Sequence, residues 1–209
     1  VLVPEFPREF VDPATFAVYD SAHLNERVGS RPGMTNGVTY DMAAMMESPM
    51  QIRANLGRYF DMMATCDALD WEMRDFAAGK RDSLPLREQL HAQIPPGELP
   101  HNGTGRGAVI GVAVLTVFKH NGHYQMIVAQ RSAKLATGAG LYHIVPAFVF
   151  QPSGPEAFYA AEWSVKHQII REFGEELFAM PEYDQWDNDD NPVRARHAVS
   201  LQSADYFYD

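Results

Sequence analysis

Arg171-Glu172-Phe173-Gly174-Glu175-Glu176 places three carboxylates and one arginine within about two helical turns. Around it Val165, Ile169, Phe173 and Leu177 recur every fourth residue, and Ala161 extends the stripe backwards. The spacing predicts an amphipathic helix with Phe173 inward. At about 100° per residue, Glu172 and Glu176 lie about 40° apart on one flank, and Glu175 lies about 60° beyond Glu172. Arg171 precedes Glu175 by one turn and can pair with it. Pro181 is expected to stop the helix soon after Met180. Two readings follow. The acids are a solvated face with an ion pair, or they are half of a metal site. In the second case a hard divalent cation such as Mg²⁺ takes oxygen ligands and removes their mutual repulsion.

The preceding residues read as strands. Ala108 to His120 is a long run rich in Val, Ile and Leu. Asn121-Gly122 is a hairpin turn signal, and Tyr124 to Arg131 is the return strand. After a polar loop, Ser132 to Gly140, a third strand runs from Leu141 to Phe150 with Pro146 inside it. Strand, hairpin, strand, loop, strand, loop and acidic helix make a mixed α/β domain.

With these elements in order, the chain resembles the Nudix hydrolase superfamily, whose signature is G-x5-E-x7-R-E-U-x-E-E-x-G-U. Arg171 to Glu176 fits R-E-U-x-E-E with Phe173 at U. Gln130-Arg131-Ser132-Ala133-Lys134 resembles the family's "QRS…K" segment, and Leu141 to Phe148 its "W-x-x-P-G-G"-like strand. The resemblance covers roughly residues 107–180, and it departs from the signature in four places. Ala147 and Phe148 stand where the paired glycines belong. The stretch from Phe148 to Arg171 is longer than the signature allows. Trp163 holds the position of the signature glutamate, with Glu162 one residue further back and Glu156 much further. Leu177-Phe178-Ala179 replaces the final glycine. Glycines there let a loop bend tightly and approach phosphate, so their loss points to a rebuilt loop, with residues from Gln151 to Ala157 inserted.

The resemblance implies an α/β/α sandwich with a mixed sheet. It further implies Mg²⁺- or Mn²⁺-dependent cleavage of a diphosphate bond in a nucleoside diphosphate linked to another group. Carried over by position, Glu172, Glu175 and Glu176 would bind the metal, with Glu172 a ligand or a base, and Arg171 would orient a carboxylate. Glu162 is out of register and is expected as a plain helix-surface residue. The alternative implied is a catalytically inactive Nudix-like module that binds a nucleotide-derived ligand. A third reading makes the helical N-terminal half an interaction module.

Composition bounds these readings. The 209 residues suffice for one domain with an extension or two small ones, and 46% apolar with 21% charged content is that of a globular chain. A formal charge of −10 argues against gripping a nucleic-acid duplex but is compatible with a nucleotide held through metal. The single cysteine, Cys66, excludes an internal disulfide and fits a reducing, cytoplasmic setting. No apolar run reaches the length of a membrane span, and the start lacks a secretory signal pattern. The chain begins with Val1 rather than Met, as expected of a fragment or of a chain lacking some terminal residues.

Residues 1–100 are expected to form an N-terminal extension, mainly helical after residue 48, joined to a Nudix-like domain over 101–209. Phe16 to Tyr19 and Val38 to Tyr40 are short strand candidates. Ser48-Pro49-Met50-Gln51 reads as a capping box opening a helix to about Ala64. Asp67 to Ala78 reads as a second helix closed by Gly79, and Leu84 to Ala92 as a third. Pro95 to Gly107, including Gly103-Thr104-Gly105-Arg106-Gly107, reads as a flexible linker. The methionines from Met42 to Met63 are expected to fill core. The histidines lack metal-ligand spacing; His120 and His123 flank the hairpin turn, and His143 is expected to be structural. Asp184 to Asp190 reads as an acidic loop rather than a calcium loop. Val199 to Leu201 and Tyr206 to Tyr208 are the strand candidates left to close the domain. Further closing elements would come from the N-terminal half, from a partner such as a second copy in a homodimer, or from residues outside this chain.

Overall fold

The computed structural model describes residues 6–31, 33–131, 140–154 and 156–178. It is a mixed α/β protein of helices and small antiparallel sheets, in two compact units, Val1–Ile110 and Gly111–Asp209. Among the described residues no helix is long and apolar enough to cross a membrane. Met180, Pro181, the aspartates from 184 to 190 and the last strand candidates lie outside the described residues.

In the first unit, helix α1 (Ser21–Gly29) starts at Asp20, whose carboxylate accepts from the His23 amide at 2.9 Å. Strand β1 (Val38–Glu47) and strand β2 (Met50–Arg58) then form an antiparallel hairpin across Ser48-Pro49. This corrects the helix expected from Ser48. The local signal for a helix start is overridden by pairing of β2 with β1 from Val38↔Arg58 to Glu47↔Met50, a non-local gain that propensity does not report. Helix begins only at α2 (Tyr59–Met62), which passes through a π-helical turn (Met63–Asp67) into α3 (Ala68–Ala77). Gly79, at φ 69°, ends it as expected: the Gly79 amide donates to Phe76 O and the Lys80 amide to Asp75 O. Helix α4 (Pro85–Gln93) follows, its first-turn amides of Leu86 and Arg87 capped by the buried Glu72 carboxylate at 2.7 and 3.0 Å. The core gathers Ala17, Val18, Leu69, Leu90 and Ile94. Phe16 to Tyr19 is therefore not a strand; its middle two residues are core. Of the methionines, Met63 is buried, whereas Met50 is exposed at the hairpin tip.

The segment expected as a linker is packed instead. Met45 donates to His101 O, Gly103 to Ala43 O, Met42 to Ala108 O and Ile110 to Tyr40 O. Residues 101–110 thus run beside β1, which is why the first unit extends past residue 100 to Ile110. A Cβ on Gly103 would collide with the Met42 carbonyl, and one on Gly107 would stand 2.7 Å from the Met62 nitrogen. These glycines serve close backbone approach rather than flexibility. Gly103→Ala is expected to cost about 2 kcal/mol and lower the melting temperature by about 10 °C. An unchanged thermal transition would show that the segment can shift freely.

In the second unit, strands β3 (Gly111–Ala113), β4 (Val117–His120), β5 (His123–Met126), β6 (Val128–Gln130), β7 (Tyr142–Ile144) and β8 (Ala147–Val149) divide three longer runs. β4 pairs with β5, β6 with β7, and β3 with β8, all antiparallel, so each run pairs with both others. The tight turn is the one expected: Asn121 at φ 49° and Gly122 at φ 83° both have the positive φ of a two-residue hairpin loop. His120 and His123 flank it and are exposed. A short helix α5 (Tyr159–Glu162) precedes the long helix α6 (Val165–Phe178). Phe150, Val145 and Trp163 are buried, with the Phe150 and Trp163 rings 5.4 Å apart.

Candidate functional site

Helix α6 carries the acidic stretch, and Ser164 caps it by accepting from the His167 amide at 3.3 Å. Its rotation differs from expectation. Val165, Ile169, Phe173 and Leu177 are half-buried, whereas Gln168, Arg171, His167 and Gly174 are buried. A polar face goes inward at least cost when its groups satisfy one another, and here most of them do, although Arg171 Nε is buried without a hydrogen-bond partner.

Arg171 is the centre of that network. Its Nη2 donates to Gln168 Oε1 at 2.7 Å and stands 2.7 Å from Glu172 Oε1. Its Nη1 donates to Glu175 Oε1 and Oε2 at 3.2 and 3.4 Å. The side chains of Arg171, Glu172 and Glu175 are all about nine-tenths buried, at 6%, 12% and 10% exposure. Glu176 is exposed, and its Oε1 accepts from the Ala147 amide at the start of β8 at 3.4 Å. Two of the three carboxylates thus face Arg171, and the third, Glu176, turns to β8. Burial pushes the Glu172 carboxyl up to about 7, with the neighbouring Glu175 and Glu176 charges adding to the rise and Arg171 opposing it.

The chain of support runs back through residues the sequence did not single out. Gln168 Nε2 donates to Glu162 O at 3.2 Å, and Glu162 Oε2 accepts from the Ser153 amide and hydroxyl at 2.6 and 3.0 Å. Glu162, expected on the surface, is fully buried and clamps the loop after β8. Trp163, at the place of the signature glutamate, packs on Phe150, so that position belongs to the core. His143 lies in β7 opposite Ala129, its Nδ1 buried without a partner. Ser132 to Lys134 lie outside the described residues, while Gln130 ends β6 and donates to Gly140 O at 3.1 Å.

The candidate ligands in the cluster are hard carboxylate oxygens, and among the described residues the cation paired with them is Arg171, so the chemistry of the donor set fits Mg²⁺ or Mn²⁺. The placement is less complete. Among the described residues no three His, Cys, Asp or Glu side chains are gathered as a metal-binding group, and Arg171 stands on two of the acids. No protein-family model matches the chain, and no curated protein matches it either.

Proposed function

We propose that the chain is a divergent Nudix-type hydrolase of α/β/α-sandwich architecture. It would cleave the diphosphate bond of a nucleoside diphosphate linked to another group. The observation that carries this reading is the α6 cluster: three glutamates, one arginine, and Glu172 buried with its carboxyl raised to about 7. A buried site that is short of positive charge and rich in oxygen donors suits a hard cation and a phosphate beside it. Glu172, Glu175 and Glu176 would hold Mg²⁺ or Mn²⁺, which when bound neutralises phosphate charge and activates water. The chain's own residues do the positioning. Arg171 fixes the directions of Glu172 and Glu175, Gln168 fixes Arg171, and Glu162 ties this assembly to the loop after β8.

A second reading, an inactive nucleotide-binding module, draws on a different observation. Arg171 already pairs with two of the acids, and Ala147-Phe148 replaces the glycines that would admit phosphate. Turnover decides between them. With a panel of nucleoside diphosphate conjugates and Mg²⁺, the hydrolase reading expects metal-dependent turnover that falls about 100-fold in Glu175→Gln. Equal rates in both proteins, or none in either, would remove it.

A further inference from the structure

A second polar site lies wholly within the first unit, away from the acidic helix in sequence and in chemistry. A cavity of about 470 Å³ opens between α1 and the α3 helix with the turn that follows it, a volume within the range of small-molecule sites. The π-helical turn Met63–Asp67 ends on Asp67, whose buried Oδ2 takes His23 Nε2 at 2.7 Å and Arg27 Nε at 3.1 Å. Single π turns often serve to place a side chain that function needs.

The pairing fixes the orientation of the ring. A carboxylate only accepts, so His23 Nε2 carries a proton toward Asp67, and the His23 ring, held there, lines the cavity. Glu26, one turn along α1, lines the same wall, and among the described residues its carboxylate has no ion pair. The opposite wall carries two cations, Lys80 and Arg81, beside Glu72 and Asp75. Arg81 lies only 3.4 Å from Glu72 Oε1 and 4.0 Å from Asp75, long contacts that leave its fork open to a better acceptor. Glu72 itself is committed to the α4 amides. Trp71, with Arg27 over its ring at 5.3 Å, supplies the apolar lining.

One wall thus offers the carboxylate of Glu26, and the other the guanidinium of Arg81, held only by long contacts. We infer that this cavity binds a small zwitterion of the free α-amino-acid type. The ligand's ammonium lies toward Glu26, and its carboxylate toward Arg81. A polyanion is disfavoured because four carboxylates, of Asp20, Glu26, Glu72 and Asp75, line the cavity against three lysine and arginine cations. A simple amine would make no use of Arg81.

The test uses the full chain and follows the His23 ring and Trp71 indole resonances while single L-amino acids, acetate, methylamine and pyrophosphate are each added to about 10 mM, the weak end of small-ligand affinity. At least one amino acid is expected to shift both residues saturably, with acetate, methylamine and pyrophosphate at least about tenfold weaker. Glu26→Gln and Arg81→Gln, at positions that carry no core packing, are each expected to weaken binding by about tenfold or more. Three outcomes overturn the inference. They are saturation by no amino acid, equal or better saturation by methylamine or pyrophosphate, and unchanged binding in both variants. None of these bears on hydrolysis at α6.

Discussion

Asp41→Asn is expected to abolish a pH dependence of stability worth about 3 kcal/mol between about pH 4 and pH 7. Asp41 sits in β1, almost fully buried. Thr39 Oγ1 donates to its Oδ1 at 2.6 Å, while Oδ2 is buried without a partner. The carboxyl lies over Gly57 on the neighbouring strand, where any Cβ would collide with it. Burial raises its pKa from 3.8 to about 6; the Thr39 hydroxyl opposes the rise, and the nearby Asp61 charge adds to it. The sign follows from proton counting. Between these two values the folded protein binds a proton that the unfolded chain has lost, so the free energy of unfolding falls as pH rises. The loss is about 1.4 kcal/mol per pH unit and is complete once pH passes the folded pKa; below 3.8 the penalty is absent. Asparagine keeps the acceptor for Thr39 and carries no charge, but its amide takes the unpartnered place at a pH-independent cost of about 1–3 kcal/mol. The two stability curves should therefore cross, with wild type ahead in acid and the variant level or ahead near neutrality. Urea titrations of both proteins at a series of pH values measure this. Parallel curves would mean that Asp41 finds a partner or water when ionised.

Local chemistry was legible in the sequence, and long-range pairing was not. Asn121-Gly122 and Gly79 were readable because a positive φ is demanded by the turn itself and nearly names its residue. Ser48-Pro49 carried an equally local message, a helix start, but β1 was already waiting as a partner for the residues that follow. Gly103, Gly105 and Gly107 show the ambiguity of glycine. Their spacing of two fits a strand-like segment pressed on backbone as well as a loose linker, and the decisive neighbours, Met42 and Met62, are distant in sequence. At the candidate site, the Arg171–Glu175 pair followed from helical periodicity. Gln168, Glu162 and Ser153 did not, because their roles exist only once the loop after β8 folds back onto the start of α6. The inward turn of α6 was missed for the same reason. An apolar stripe reports what can be buried, whereas Arg171 with its three partners reports what has been neutralised.

Arg171→Met separates the structural worth of that neutralisation from its chemical use. Methionine keeps most of the stem's bulk and removes the cation that pairs with both Glu172 and Glu175. Breaking a buried ion network by removing one partner costs about 3–5 kcal/mol because the remaining charges stay buried. Arg171 also opposes the rise of the Glu172 carboxyl, which already stands at about 7 against an ordinary 4.5, so its loss moves that carboxyl higher still. A raised carboxyl pKa makes the folded state the better proton binder, and its stability therefore falls as pH climbs from 4.5 through the folded value. In the variant this fall continues to higher pH. The second unit should be only mildly weakened near pH 5, where protons replace the guanidinium, and should lose the full amount near pH 8. Magnesium then discriminates. If the three acids can hold a cation, Mg²⁺ at about ten times its dissociation constant returns about 1.4 kcal/mol to the variant at pH 8, while NaCl of equal ionic strength returns much less. Wild type, with Arg171 already in place, should respond less. Equal effects of the two salts on the variant would leave Arg171, Gln168, Glu172 and Glu175 as a purely structural network, and the hydrolase reading would lose the observation on which it stands.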